Sequence, residues 1–213
     1  YTLYLRGCGI GTLRGAISEG GTDALNKIDK GTWTLSGTNT FAGRVTVANG
    51  ALRLGAVSAM NPAVPVTVSG GTYDLGGLSV SNAAVTLSAG SIINGSLQAS
   101  SYSATDSGLV SATLGGPSGL AKSGVGTLTL RCAQSFTGPL AVNAGKVDVQ
   151  PGPVPGSALW FDAASPFTLA KNADGTGGTP ASGGTVGRWT SLNGNLWASA
   201  SSGTPTYQTN VVN

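Results

Sequence analysis

The fold is decided by a segment that occurs twice: Lys27–Leu54, KIDKGTWTLSGTNTFAGRVTVANGALRL, and Lys122–Val149, KSGVGTLTLRCAQSFTGPLAVNAGKVDV. The two copies align without a gap, at a spacing of 126 − 31 = 95 residues between matched glycines. Matched threonine, leucine, phenylalanine and valine positions follow along the whole alignment. Such self-similarity is typical of repeat proteins, in which each unit packs mainly on its neighbours.

Each copy contains three short runs in which apolar and polar residues alternate, as they do in strands with one buried face. In the first copy these runs contain Trp33 and Leu35, Val45 and Val47, and Leu52 and Leu54. Glycine-containing segments separate the runs. Three strands joined by two corners predict one rung of a three-sided coil, and residues 1–150 then hold about six rungs.

Stacking of these rungs predicts an all-β fold, a right-handed parallel β-helix, in which each strand pairs with the strand one rung away at about 4.8 Å. The predicted core side chains are Trp33, Leu35, Phe41, Val45, Val47, Leu52, Leu54, Leu128, Leu130, Phe136, Val142, Val147 and Val149. An alternative stays open, because Asn49-Gly50 is also a strong signal for a two-residue hairpin. The fold would then be an antiparallel sandwich or barrel.

The composition agrees with a strand-rich protein outside the cytosol. The chain has 35 glycines and no histidine, with 9% charged and 40% hydrophobic residues. The 11 cations are scattered, whereas nucleic-acid binding requires a basic stripe with interleaved aromatic residues. Apolar runs stay far below the roughly 18 residues of a membrane-spanning helix. We therefore expect an extracellular protein with no nucleic-acid partner and no membrane span in this chain.

Candidate catalytic and metal-binding groups are few. Without histidine, Ser-His-Asp and Cys-His catalysts are excluded. Glu19, Asp23 and Asp29 form the one local group of acids, which we interpret as a solvated loop rather than a calcium or sugar-cleaving site. We expect no enzymatic activity, no metal and no cofactor.

Two cysteines, Cys8 and Cys132, stand 132 − 8 = 124 residues apart. This separation matches no metal-binding motif. Two interpretations remain: separate buried thiols, or a disulfide within or between chains.

The repeat resembles the passenger-associated transport repeat of bacterial autotransporter-type surface proteins. Gly31–Gly37 and Asn39–Gly43 carry the resemblance, and Val64–Leu75 is similar to the segment that commonly follows such repeats. The second copy departs from the pattern, because Arg131–Gln134 replaces the usual S-G-x-N corner. The resemblance implies a parallel β-helix that is exported across a bacterial envelope to the cell surface or beyond.

The sequence changes character after Val149. Residues 151–157 predict a stiff Pro/Gly linker between the repeat region 1–150 and residues 158–213. The last segment, rich in Gly, Ser and Thr, resembles the opening of laminin-G-like, concanavalin-type jelly rolls. We expect a partial β domain or a packing tail there. Asp162 and Asn193 could then belong to a lectin-like site, although a role in turns is the simpler interpretation.

Two functional hypotheses follow. The first is a structural, fibre-forming surface protein that associates with itself head to tail, because Tyr1–Arg6 already forms a strand with no polar cap before it. The alternative is an adhesin or carbohydrate-binding module on a β-helix stalk, with glycans as partners.

Overall fold

The computed structural model describes residues 1–18 and 22–150, together with three short strands at 169–170, 188–190 and 197–199. The chain divides into two compact units, Tyr1–Gly152 and Pro153–Asn213. The predicted linker 151–157 and most of the predicted jelly-roll-like segment, including Asp162 and Asn193, lie outside the described residues.

The first unit is built from strands, with one short 3₁₀ turn at Val57–Ala59. In chain order the strands are β1 Leu3–Leu5, β2 Ile10–Leu13, β3 Asp23–Lys27, β4 Thr32–Leu35, β5 Arg44–Val47, β6 Ala51–Leu54, β7 Val66–Ala104, β8 Gly108–Val110, β9 Thr113–Gly115, β10 Leu120–Lys122, β11 Thr127–Leu130, β12 Leu140–Val142 and β13 Lys146–Val149.

Strand pairing in this unit is parallel throughout. Paired residues lie 17 to 22 positions apart, from 113 − 96 = 17 to 25 − 3 = 22. Each such interval is one rung, and the chain makes about seven of them. The all-β parallel solenoid predicted from the alternating pattern is confirmed. The alternative prediction of a hairpin at Asn49-Gly50 is wrong, because β5 and β6 pair with other strands and not with each other.

The prediction that the strands β4, β5 and β6 together form one rung was wrong. Strand β4 pairs with β6 from Thr32↔Ala51 to Leu35↔Leu54, so these two strands lie on the same face of successive rungs. Only β5 and β6 of the predicted triplet share a rung. The reason is that residues 37–43 cross the third side of the coil without forming a strand, and a full winding therefore takes about 20 residues.

We distinguish a first face, formed by β1, β3, β5, β10 and β12, from a second face, formed by β2, β4, β6, β8, β11 and β13. Strand β7 runs through both and through a third face, where it pairs with β9. Its 39 residues bend at corners with positive φ, among them Gly76, Gly90 and Asn94. Glycine adopts this backbone region without steric cost, which makes such sharp corners accessible.

The inward side chains form one continuous apolar column along the axis. Eight of the predicted core residues are buried: Leu35, Phe41, Val45, Val47, Leu52, Leu54, Leu128 and Leu130. Phe136 and Val147 are half-buried against the column. Val142 and Val149, however, are 50% and 58% exposed, because no further described rung stacks on the one that contains them.

Trp33 is half-buried for a different reason. Its ring lies over Gly11 of the preceding rung, where even a Cβ atom would approach the indole to 2.7 Å. The indole Nε1–H donates to the carbonyl of Arg6 at 2.9 Å. Trp33 therefore fills the interior of the first rung, and it partly covers the end of the column that was predicted to have no cap.

The second unit contributes an antiparallel three-stranded sheet in the described part. It consists of β14 Leu169–Ala170, β15 Arg188–Thr190 and β16 Trp197–Ser199, with β15 in the centre.

Candidate functional site: the lysine corner of each repeat

Each repeat begins with a lysine that points into the solenoid. Lys27 lies at the end of β3 and Lys122 at the end of β10, and both are fully buried. Their register partners on neighbouring rungs are the inward residues Leu5 and Val142. The alternation of the strand therefore forces the lysine side chain inward, where an unpaired ammonium is costly.

Backbone carbonyls at the corner between the first and second faces receive each ammonium. Lys27 Nζ donates to the carbonyl of Asp29 and, at 3.1 Å, to that of Asn49 on the next rung. Lys122 Nζ donates to the carbonyl of Gly124. In both repeats a positive-φ glycine, Gly50 or Gly145, closes the following rung directly over the ammonium.

The glycine is required on two grounds. A Cβ on Gly50 would collide with the carbonyls of Asp29 and Gly31 and approach Lys27 Nζ to 2.7 Å. Its φ of 62° is also unfavourable for residues with a side chain. Burial lowers the pKa of Lys27, whereas the negative charge of Asp29 opposes that change. The lysine corner is thus a closed polar pocket that holds a cation between two rungs.

A buried amide side chain also links neighbouring rungs by hydrogen bonds in each repeat. Buried Asn39 accepts a hydrogen bond from the Ile17 N–H at 2.8 Å, one rung before, and donates to the Ala59 carbonyl at 2.7 Å, one rung after. Gln134 is the matching residue, since 39 + 95 = 134. Its Oε1 accepts from the Leu114 N–H at 2.8 Å, and so the departure of the second copy from the family pattern preserves the link to the preceding rung.

The sequence analysis predicted neither the lysine corner nor the amide links made by Asn39 and Gln134. The alternation of Leu25 and Lys27 placed the lysine at an inward position, and its recurrence at Lys122 repeated the signal. A charged residue is nevertheless usually assigned to the surface. Only the carbonyl-lined corner explains why this one is inside.

The candidate acids do not come together as a site. Asp23 lies 3.6 Å from Arg44, Asp29 accepts from the Gly7 N–H at 2.8 Å, and Glu19 lies outside the described residues. In the part of the chain that the structure describes, no group of three or more His, Cys, Asp or Glu residues is positioned to hold a metal ion. No helix in that part is long and apolar enough to cross a membrane.

Both cysteines are free. Cys8 is exposed, so the interpretation as a buried thiol was wrong for it, and Cys132 is half-buried with its Sγ 3.5 Å from Gln134 Nε2. An intrachain disulfide is also ruled out by distance. Six rung spacings of about 4.8 Å separate the two residues, whereas disulfide Cα atoms lie within about 7 Å.

The family model for the passenger-associated transport repeat matches residues 25–54 and 120–149. Neither the curated proteins nor the solved structures contain a match to the chain. The two matched segments coincide with the two lysine corners and the strands around them. They indicate an autotransporter passenger region, which is exposed at the cell surface or secreted.

Proposed function

We propose that residues 1–150 act as a structural stalk in an autotransporter-type passenger, without catalysing a reaction, and that the chain associates with itself head to tail. The observation that supports the stalk is the bridging of three consecutive rungs by Asn39. The lysine corner adds a second link between rungs. Polar side chains inside the solenoid are thus used to hold successive rungs together.

Self-association is supported by the two ends of the described solenoid. On the first rung the inward-facing Leu3 is 37% exposed, although its ladder partner Leu25 is fully buried, and the last described rung leaves Leu140 and Val142 uncovered as well as Val149. Unpaired strand edges are templates for further strands. A head-to-tail contact uses two different surfaces and therefore propagates into a filament.

The spacing of the strands is compatible with this contact. The inward-facing residues Leu140 and Val147 are 147 − 140 = 7 residues apart, and the inward-facing Leu3 and Gly11 are 11 − 3 = 8 apart. Stacked rungs within the chain show the same difference, because Val45 and Leu52, 52 − 45 = 7, pair with Leu25 and Trp33, 33 − 25 = 8. Strand β12 of one molecule could therefore stack on β1 of the next while β13 stacks near β2. Cys8, at the corner between β1 and β2, would then lie about one rung spacing from Ala144 of the neighbour.

Cysteine cross-linking tests this contact in the full chain with Cys132 replaced by serine. Under oxidising conditions the Ala144→Cys variant should form covalent oligomers through Cys8. The control is Thr105→Cys, which is exposed at the same corner two rungs away. Equal cross-linking of both variants, or a monomer at every concentration in sedimentation velocity, would contradict the head-to-tail proposal.

A second candidate function, glycan binding, is favoured by an open groove of about 330 Å³ where the chain leaves the third face. Its walls carry uncharged hydroxyl and amide groups from successive rungs, Ser81, Gln98, Ser100 and Ser118, between Pro62 and Pro117. Glycan-array binding by the full chain that is lost in Gln98→Ala, but kept in a Thr86→Ala control, would support this function over a purely structural one.

A further inference from the structure

Asn49 and Gly50 form an exposed corner in which a side-chain oxygen accepts the N–H of the next residue, as also occurs at Asp106-Ser107. The Gly50 N–H donates to the side-chain oxygen Oδ1 of its own neighbour, Asn49, at 2.8 Å. The N–H groups on either side are bound to backbone carbonyls instead, Asn49 to Lys27 at 3.3 Å and Ala51 to Gly31 at 3.1 Å. The Gly50 nitrogen therefore lies beside the side-chain amide of Asn49.

This arrangement brings together the two groups that react in the deamidation of asparagine. The backbone nitrogen of the following residue is the nucleophile, and the side-chain carbon Cγ is the electrophile. Gly50 has no side chain to obstruct the approach, and Asn49 is exposed, so water reaches the site.

Lys27 adds an electrostatic contribution. When the Gly50 nitrogen loses its proton, the negative charge spreads onto the carbonyl oxygen of Asn49. That oxygen already accepts a hydrogen bond from Lys27 Nζ at 3.1 Å. A preorganised cation at the atom where charge develops stabilises the anion, as donors in an oxyanion hole do.

We propose that Asn49 is a site of spontaneous deamidation in the folded protein, promoted by the lysine corner. The Gly50 nitrogen transfers its proton to hydroxide and attacks Cγ of Asn49, which forms the C–N bond of the five-membered ring. The bond from Cγ to Nδ2 then breaks, and Nδ2 takes a proton from water and leaves as ammonia, which gives the succinimide and regenerates hydroxide. Water then opens the ring. Hydrolysis at Cγ gives aspartate, and hydrolysis at the backbone carbonyl gives isoaspartate.

The described residues contain two internal comparisons for this reaction. Asn94-Gly95 has the same dipeptide, but Asn94 Nδ2 donates to the carboxylate of Asp74 at 3.1 Å. A nearby negative charge opposes formation of the peptide anion. The second repeat has Ala144-Gly145 at the matching corner, which shows that the lysine corner forms without asparagine.

Isoaspartate would disturb the stacking of rungs. It inserts an additional main-chain carbon immediately before Gly50, whose carbonyl accepts from the Thr72 N–H at 2.8 Å. Strand β6 follows at once, with Ala51 in register with Thr32. We therefore expect the modified chain to lose stability around β6.

The test is to incubate the full chain in mildly alkaline buffer, both folded and unfolded in urea, and to follow each asparagine by peptide mass spectrometry with isoaspartate detection. In the folded chain Asn49 should convert several-fold faster than Asn94, and faster than Asn49 does in urea. The Lys27→Met variant should slow Asn49 to the rate of Asn94, with its fold checked by circular dichroism.

Two results would overturn the proposal. One is an Asn49 that stays intact in the folded chain while Asn94 converts. The other is an Asn49 rate in urea equal to or above the folded rate, which needs no variant and holds whether or not Lys27→Met folds.

Discussion

Replacing Asn39 with alanine should destabilise the solenoid far more than the loss of one small side chain would suggest. Asn39 is only 5% exposed. Its side-chain amide accepts a hydrogen bond from the Ile17 N–H at 2.8 Å and donates one to the Ala59 carbonyl at 2.7 Å. The alanine variant leaves both backbone groups without a partner. A buried group left unsatisfied costs about 1–3 kcal/mol, so two such groups could cost roughly 2–6 kcal/mol.

The structure narrows this range. Ala59 is fully buried, so its carbonyl should bear the full penalty, whereas Ile17 is half-buried and water can replace part of its bond. We therefore expect a loss of about 2–4 kcal/mol. For a unit of this size the melting temperature should fall by roughly 5–15 °C. Urea denaturation followed by circular dichroism gives the free energy of unfolding directly.

Three variants sharpen the test. The control is Asn143→Ala at an exposed position, which should change stability by less than about 0.5 kcal/mol. Asn39→Gln should retain most of the stability, because Gln134 makes the matching bond in the second repeat. Asn39→Asp keeps the acceptor for Ile17 but directs a negative oxygen at the Ala59 carbonyl, so it should be as damaging as alanine. Equal unfolding energies for Asn39→Ala and Asn143→Ala would refute the bridging role.

Three further predictions concern other parts of the solenoid. Leu35→Asp should prevent folding by placing an unpaired charge in the column, whereas Thr34→Asp on the outer side should cost less than about 1 kcal/mol, as measured by urea unfolding. Gly145→Ala should lower stability by about 1–3 kcal/mol, since φ is 71° and the new Cβ would meet the carbonyls over the lysine corner. Burial raises the pKa of Tyr73 above its ordinary value of 10.0, so the stability present below pH 10.0 is lost as the pH rises above it and the unfolded chain ionises. Urea midpoints against pH should fall less steeply in Tyr73→Phe, while Tyr4→Phe should follow the unmodified chain.

The winding of the chain could be predicted because strand alternation reports which side chains face inward. Leu35, Val47 and Leu54 are buried as their alternation requires. Alternation does not report which strand stacks on which, however. That depends on how many residues each corner consumes, and the strandless third side at residues 37–43 left no signal. The right-handed sense of winding stays a prediction.

The lysine corner shows a different limit of sequence reasoning. The alternation of apolar and polar residues in β3 places Lys27 at an inward-facing position. Its burial, however, depends on a carbonyl-lined space that forms only when Gly50 closes the next rung. Val142 shows the converse, because it has inward phase and yet remains exposed for lack of a covering rung. Burial in a solenoid is decided by the neighbouring rung as much as by the residue itself.

The distance of 95 residues between the repeats has a consequence for how such a chain can change its length. On the second face Thr32, Ala51, Thr72, Ser91, Leu109 and Thr129 follow one another, through ladder pairs and the 3.0 Å hydroxyl contact between Thr72 and Ser91. These are five steps, so both lysine corners lie on the same edge of the coil. Loss of one whole rung would move one corner toward the other by about 4.8 Å without rotating it. Loss of half a rung would move every later strand to a different face. The apolar side chains of those strands would then no longer face the interior. Insertions and deletions between the repeats should therefore be inherited in complete windings. The length of the solenoid then changes in steps of one rung and not of one residue.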